Sequence, residues 1–162
     1  MHQLLEAILQ DISVFGGLSD PALAKLSSLM EQHSYEANTL IAQEDDIAHS
    51  LFVIAKGNCE IVANLGSEQE SYRIAEVGPG DCVGEMSLID MQPRGANIRS
   101  LTPVTLFSLK NADFMTLYAW DAESYTIILS NIARELSRRL REANAKLIRH
   151  ARENGNDSSD NK

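Results

Sequence analysis

The chain has 162 residues, with 23 Asp/Glu against 14 Lys/Arg and a net charge of −9, a length that suits one globular domain with a buried core. No run of about 18 apolar residues occurs, and the opening "MHQLLEAILQD" lacks the basic start and small-residue cleavage site of a signal peptide, so a cytoplasmic protein without a membrane span is expected. Residues 1–130 carry 6 Lys/Arg against 18 Asp/Glu, whereas 131–152 carry 7 against 2; the acidic body repels nucleic-acid phosphate, so a broad DNA-binding face is not expected on it.

The first segment reads as two short helices. Leu4, Leu5, Ile8 and Leu9 make one apolar stripe, and Leu23, Leu26, Leu29 and Met30 make another, with Gly16-Gly17 between them. Ser19 stands where an N-cap belongs, and Pro21 falls in the following first turn. From Tyr35 to Leu109 the period changes to two: short β-rich runs are separated by Asp, Asn and Gly turns, the pattern of an antiparallel barrel or jelly roll. Lys56-Gly57-Asn58 reads as a hairpin between two strands, and "GEMSLID" interrupts the strands with a short helix. Cys59 and Cys82 fall in different strand-like runs with no metal-ligand spacing, which predicts two reduced, buried thiols.

After Asp113 the pattern is helical again. Leu129, Leu136 and Ala143 recur every seven residues, interleaved with Ala133, Leu140 and Leu147. Such a narrow seam on a long helix, with Arg134, Arg138, Arg141 and Glu142 on the other faces, predicts pairing with a second copy. The alternative is packing on its own domain. The expected architecture is α+β: an antiparallel β jelly-roll barrel with N-terminal helices, a short helix at "GEMSLID" and a long C-terminal dimerisation helix. It forms one domain over 1–152, and the polar tail 153–162 is expected to be disordered.

Candidate chemistry concentrates in "GEMSLIDMQPRGANIRS", residues 84–100. Gly80 and Gly84 permit tight backbone geometry, and a helix opening at "EMSLID" leaves N–H groups free to receive an anion. Alternation along "RGANIRS" turns Arg94, Ala96 and Ile98 toward the barrel interior. A buried guanidinium needs an acceptor, and two are open: the Glu85 carboxylate, or a bound phosphate matched by two parallel hydrogen bonds. The histidines His2, His33, His49 and His150 have no nucleophile or metal partner in sequence, and Ser87 sits in no Gly-x-Ser-x-Gly elbow, so no enzyme, catalytic residue or metal is expected.

These residues carry a resemblance. "VGEMSLIDMQPRGANIRS" resembles the phosphate-binding cassette of the cyclic nucleotide-binding domain family, of the catabolite activator and cyclic AMP-dependent kinase regulatory subunit type. "FGGLSDPALAKL", "LIAQEDDIAHSLFVIAKGNCEIV" and "NIARELSRRLREAN" resemble its leading helix, early strands and long dimer helix. The resemblance implies that Arg94 pairs with the cyclic phosphate and Glu85 accepts the ribose 2′-hydroxyl. It implies backbone N–H groups near Gly84, Met86 and Ser87 in the phosphate cradle, with Gly95 and Ala96 beside them. On the long helix Asn144, next to Ala143, is the implied reader of the base, with Arg139 a second candidate. Gly95 stands where the bacterial activators often carry serine and the cyclic GMP kinases threonine, which favours cyclic AMP over cyclic GMP. The implied protein is a stand-alone sensor without a helix-turn-helix, without DNA or membrane as partner and without a cofactor. It acts as a homodimer through its C-terminal helix and signals to a protein effector; the competing reading is a dimeric scaffold of the same fold that has ceased to bind nucleotide.

Overall fold

The computed structural model describes residues 2–67 and 70–157. Helices α1 (His2–Asp11) and α2 (Asp20–Leu29) flank a 3-10 turn at Ser13–Phe15. Ser19 caps α2 as its spacing predicts, its side chain accepting from Ala22 N. Eight strands follow: β1 (Glu31–Tyr35), β2 (Leu40–Ala42), β3 (Ser50–Lys56), β4 (Cys59–Ser67), β5 (Glu70–Val77), β6 (Cys82–Val83), β7 (Asn97–Ser100) and β8 (Val104–Lys110). Helix α3 (Ser87–Asp90) interrupts them, and α4 (Asn111–Trp120) and α5 (Ala122–Asp157) close the chain.

The strands form two antiparallel four-stranded sheets, ordered β1-β8-β3-β6 and β2-β7-β4-β5. Alternation along β3 explains why two cores arise. Leu51 and Val53 face the helices and join Leu9, Phe15, Leu26, Phe114, Ile128 and Ile132, while Phe52 and Ile54 face the second sheet and join Cys59, Val83, Ile98 and Leu106. Cys59 and Cys82 are free and buried, one in each core, and burial pushes both thiols up from their ordinary values.

The predicted α+β jelly-roll architecture is the one observed, with three differences of connection. Lys56-Gly57-Asn58 is a crossover rather than a hairpin: β3 pairs with β6 and β8, and β4 with β5 and β7. Gly57 has φ +80°, and a Cβ there would lie 2.2 Å from the Pro103 carbonyl oxygen, so the turn stacks on the β7–β8 turn instead of folding back. The helical run after Asp113 is two helices, because Asp121 leaves helical geometry and caps α5, its carboxylate accepting from the backbone N–H of Glu123 and Ser124 and from the Ser124 hydroxyl. Helix α5 continues to Asp157, past the predicted boundary at 152; of the predicted tail, 158–162 lie outside the described residues.

The heptad seam divides in two. Of its members Leu129 and Leu136 pack against the helical core, beside the fully buried Ile128 and Ile132 of the adjoining face, whereas Ala133 is exposed and residues 138–152 are exposed throughout, with Leu140 at 62% and Leu147 at 68%. The first turns of α5 belong to the domain, and the rest projects from it.

Candidate functional site

A cleft of about 320 Å³ opens on the face of the second sheet, between the segment 83–96 and α5. Its floor is apolar, from Ile61 on β4, Ile74 on β5 and Ile98 on β7. Gly84, Glu85, Met86 and Asp90 form one wall and 92–96 another, and Arg139 reaches in from α5.

Arg94 is held by backbone. Its N–H donates to the Asp46 carbonyl (2.8 Å), its carbonyl accepts from Asp45 N (2.9 Å), and a bridge joins the neighbouring Pro93 to Ile47. These bonds fix Arg94 ahead of β7, which begins only at Asn97, so the position is set by the loop between β2 and β3 and not by strand alternation. The guanidinium is 9% exposed as a residue, lies 4.8 Å over the Phe52 ring and donates from Nη2 to the Ser50 carbonyl at 2.8 Å. Burial pushes its pKa down from the ordinary value and the Asp46 charge opposes the shift; a guanidinium stays charged regardless. Gly84 faces it with φ +77°, where a Cβ would stand 2.3 Å from Arg94 Nη1.

Glu85 does not take up Arg94. Among the described residues no carboxylate lies within ion-pair distance of Arg94, and the buried Glu85 carboxylate instead accepts from Arg139 Nη1 at 2.7 Å, across 54 positions of sequence. Of the two acceptors open to Arg94 in the sequence, Glu85 is not the one it meets: Glu85 pairs with Arg139, and Arg94 satisfies one edge on the Ser50 carbonyl. Arg139 keeps a second carboxylate on its own helix, donating from Nε to Glu135 at 2.9 Å, and Glu135 is shared with Arg138.

Of the residues singled out in the sequence, Gly84, Glu85, Met86, Arg94, Gly95, Ala96 and Arg139 line this one cleft. The Ser87 side chain lies outside what is described, although its backbone begins α3. Asn144 is exposed on the projecting part of α5 and does not line the cleft. Gly95 has space beside it, with nothing within 4 Å of a Cβ built there. No local pattern marks Ala48, Asp90 or Gln92 as lining residues, nor the Ser50 carbonyl, which any residue would supply. Ile61 and Ile74 were discoverable only by pairing β4 with β5 in the correct register, in which Ile61 stands opposite Ala75 and Val62 opposite Arg73.

Among the described residues, no cluster of His, Cys, Asp and Glu could hold a metal, and no helix is long and apolar enough to cross a membrane. Among the described residues, the arrangement offers a buried cation with no carboxylate in ion-pair range and a buried carboxylate paired with a half-exposed arginine, both on a cleft with an apolar floor. Such a site has the chemistry to receive a small anion that carries a hydroxyl donor and a flat apolar part.

Comparison with known proteins shows which family the chain resembles over this region. The chain is 28% identical over 135 residues to the Cyclic AMP receptor protein of Thermus thermophilus, covering 83% of this chain and 60% of that protein. It is 25% identical over 131 residues to the cGMP-dependent protein kinase egl-4 of Caenorhabditis briggsae, covering 81% of this chain but 16% of the kinase. The crystal structure of Thermus thermophilus Catabolite Activator Protein superposes with a TM-score of 0.75 at 27% identity, over 86% of this chain and 63% of that one. The sequence profile of the Cyclic nucleotide-binding domain matches residues 32–121, more than half of the chain and every strand but the first residue of β1. With that match over the barrel that carries Glu85 and Arg94, the chain belongs to the cyclic nucleotide-binding domain family.

Proposed function

We propose that this protein is a cytoplasmic cyclic-nucleotide sensor that takes cyclic AMP in preference to cyclic GMP and signals by repositioning α5. The observation that carries the proposal is Arg94, a buried guanidinium that lines the cleft with no carboxylate in ion-pair range among the described residues. A cyclic phosphate would supply the missing charge through two parallel hydrogen bonds, with backbone N–H groups near Gly84, Met86 and Ser87 completing the cradle. Glu85 would accept the ribose 2′-hydroxyl, and the base would lie on Ile61 and Ile74.

Cyclic AMP is favoured because Gly95 offers no hydroxyl to a guanine, and because one relative is by name a receptor for it; another relative is a cyclic GMP-dependent kinase, so both ligands belong in the test. Asn144 would read the base edge after α5 moves inward. The projecting part of α5, with Leu140 and Leu147 exposed, supports dimerisation through that helix, and the receiver of the signal would be a protein effector. No bond is broken in this account. Ligand shifts the population of α5 positions by contacting one of them better than the other.

Calorimetric titration with each nucleotide, run beside Arg94→Ala, tests the assignment. Charge-assisted hydrogen bonds contribute about 1.5–3 kcal/mol each, so the variant should bind about tenfold to a hundredfold more weakly. Equal affinity in wild type and variant would remove Arg94 from the site. The scaffold reading is favoured by the Glu85–Arg139 pair, which satisfies that carboxylate without ligand; it predicts no binding heat from folded wild-type protein.

A further inference from the structure

We infer that Arg139 is an internal competitor for the ligand: its guanidinium occupies the carboxylate a nucleotide needs, so that ligand entry and release of α5 are one event. The inference rests on the reading of the cleft as a nucleotide site and concerns the regulation of that site.

Three observations carry it. The Glu85 side chain is 3% exposed while that of Arg139 is 45% exposed, so the arginine can withdraw into water and the carboxylate cannot. Arg139 loses little by withdrawing, because Glu135, one turn back on α5, already accepts from its Nε at 2.9 Å. Glu135 is in turn tied to Arg138, which is tied to Glu142. Glu85, Arg139, Glu135, Arg138 and Glu142 thus alternate in charge from the buried site to the exposed half of α5, and the free part of the helix is anchored to the barrel where this chain begins. A ribose hydroxyl donating to Glu85 replaces the guanidinium, cuts that anchor and leaves α5 to move from its resting position inward over the ligand.

Glu135 does not line the cleft, so it is a positioning residue that aims Arg139. A ligand restricted to the open state has its apparent affinity reduced by the open fraction, so a latch closed about nine-tenths of the time weakens binding about tenfold.

The test titrates cyclic AMP calorimetrically into the full chain as wild type, Arg139→Ala and Glu135→Gln, and follows amide exchange over 136–148 without ligand. Arg139→Ala is expected to bind about tenfold more tightly, Glu135→Gln to tighten by less, and exchange to quicken in both. Glu135→Gln keeps the Arg139 charge in the cleft, and loss of a merely structural ion pair does not raise affinity. Weaker or unchanged binding in Arg139→Ala, with wild-type binding intact, overturns the competitor role and leaves the nucleotide reading standing. A gain in Arg139→Ala without one in Glu135→Gln keeps the competitor and removes Glu135 from its positioning. No binding by wild type overturns both readings, and unchanged exchange in Arg139→Ala overturns the anchoring of α5 whatever the titrations give.

Discussion

Gly84 and Arg94 constrain each other. Arg94 Nη1 sits where a side chain on residue 84 would begin, and residue 84 adopts φ +77°, a region that costs an L-residue about 1–2 kcal/mol. Gly84→Ala is therefore expected to lower stability to denaturant by about that amount and to weaken nucleotide binding at least about tenfold, by pushing the guanidinium off the Ser50 carbonyl. Unfolding titration and calorimetry on the same preparation separate the two effects. Full affinity in a destabilised variant would mean that Arg94 finds its position without Gly84. At this scale the sequence was informative about identities and uninformative about pairs. Glycine and arginine at 84 and 94 were legible as chemistry, but the partner of Glu85 lies 54 residues away on another element, and nothing in local spacing distinguishes Arg139 from Arg138 or Arg141.

Helix α5 is two structures with one periodicity. Its seam repeats without a break from Leu129 to Leu147, yet Leu129 and Leu136 pack on the helical core beside the buried Ile128 and Ile132 while 138–152 stand in solvent. Periodicity reports that a face is apolar and not what covers it, which is why intradomain packing and pairing between copies were both readable and the division between them was not. Ile132→Ala should cost about 2–5 kcal/mol in denaturant unfolding. Leu147→Ala should stay within about 0.5 kcal/mol when measured on the monomer and should instead raise the concentration at which copies associate in sedimentation. Equal unfolding costs would show that the projecting half folds back on the barrel. Other elements were legible in proportion to their local chemistry: Ser19 announced α2, and the continuous apolar run Leu51–Ala55 announced β3, whereas β1, "EQHSY", has too few apolar residues to show a period and was missed up to Tyr35. The crossover at Lys56-Gly57-Asn58 has hairpin chemistry in a place where the flanking strands belong to different sheets.

For the whole molecule, charge and topology point the same way. The body is acidic, with 6 Lys/Arg against 18 Asp/Glu up to residue 130, so an anionic ligand is repelled except where Arg94 faces the cleft, the Arg139 charge being paired with Glu85 and Glu135. The Arg94 guanidinium belongs to the barrel and the Arg139 guanidinium to α5, where it occupies Glu85 until a ligand replaces it. If the protein is a sensor, occupying the cleft must change where the far half of α5 lies. The most direct measurement is the distance between spin labels at Tyr72→Cys, exposed on β5, and Ala145→Cys, exposed on α5, the native Cys59 and Cys82 being buried away from the reagent. Saturating cyclic AMP should shift and narrow the distance distribution, and should fail to do so in Arg94→Ala. An unchanged distribution in protein shown by calorimetry to be fully liganded would contradict the account, leaving a chain that binds nucleotide without reporting it.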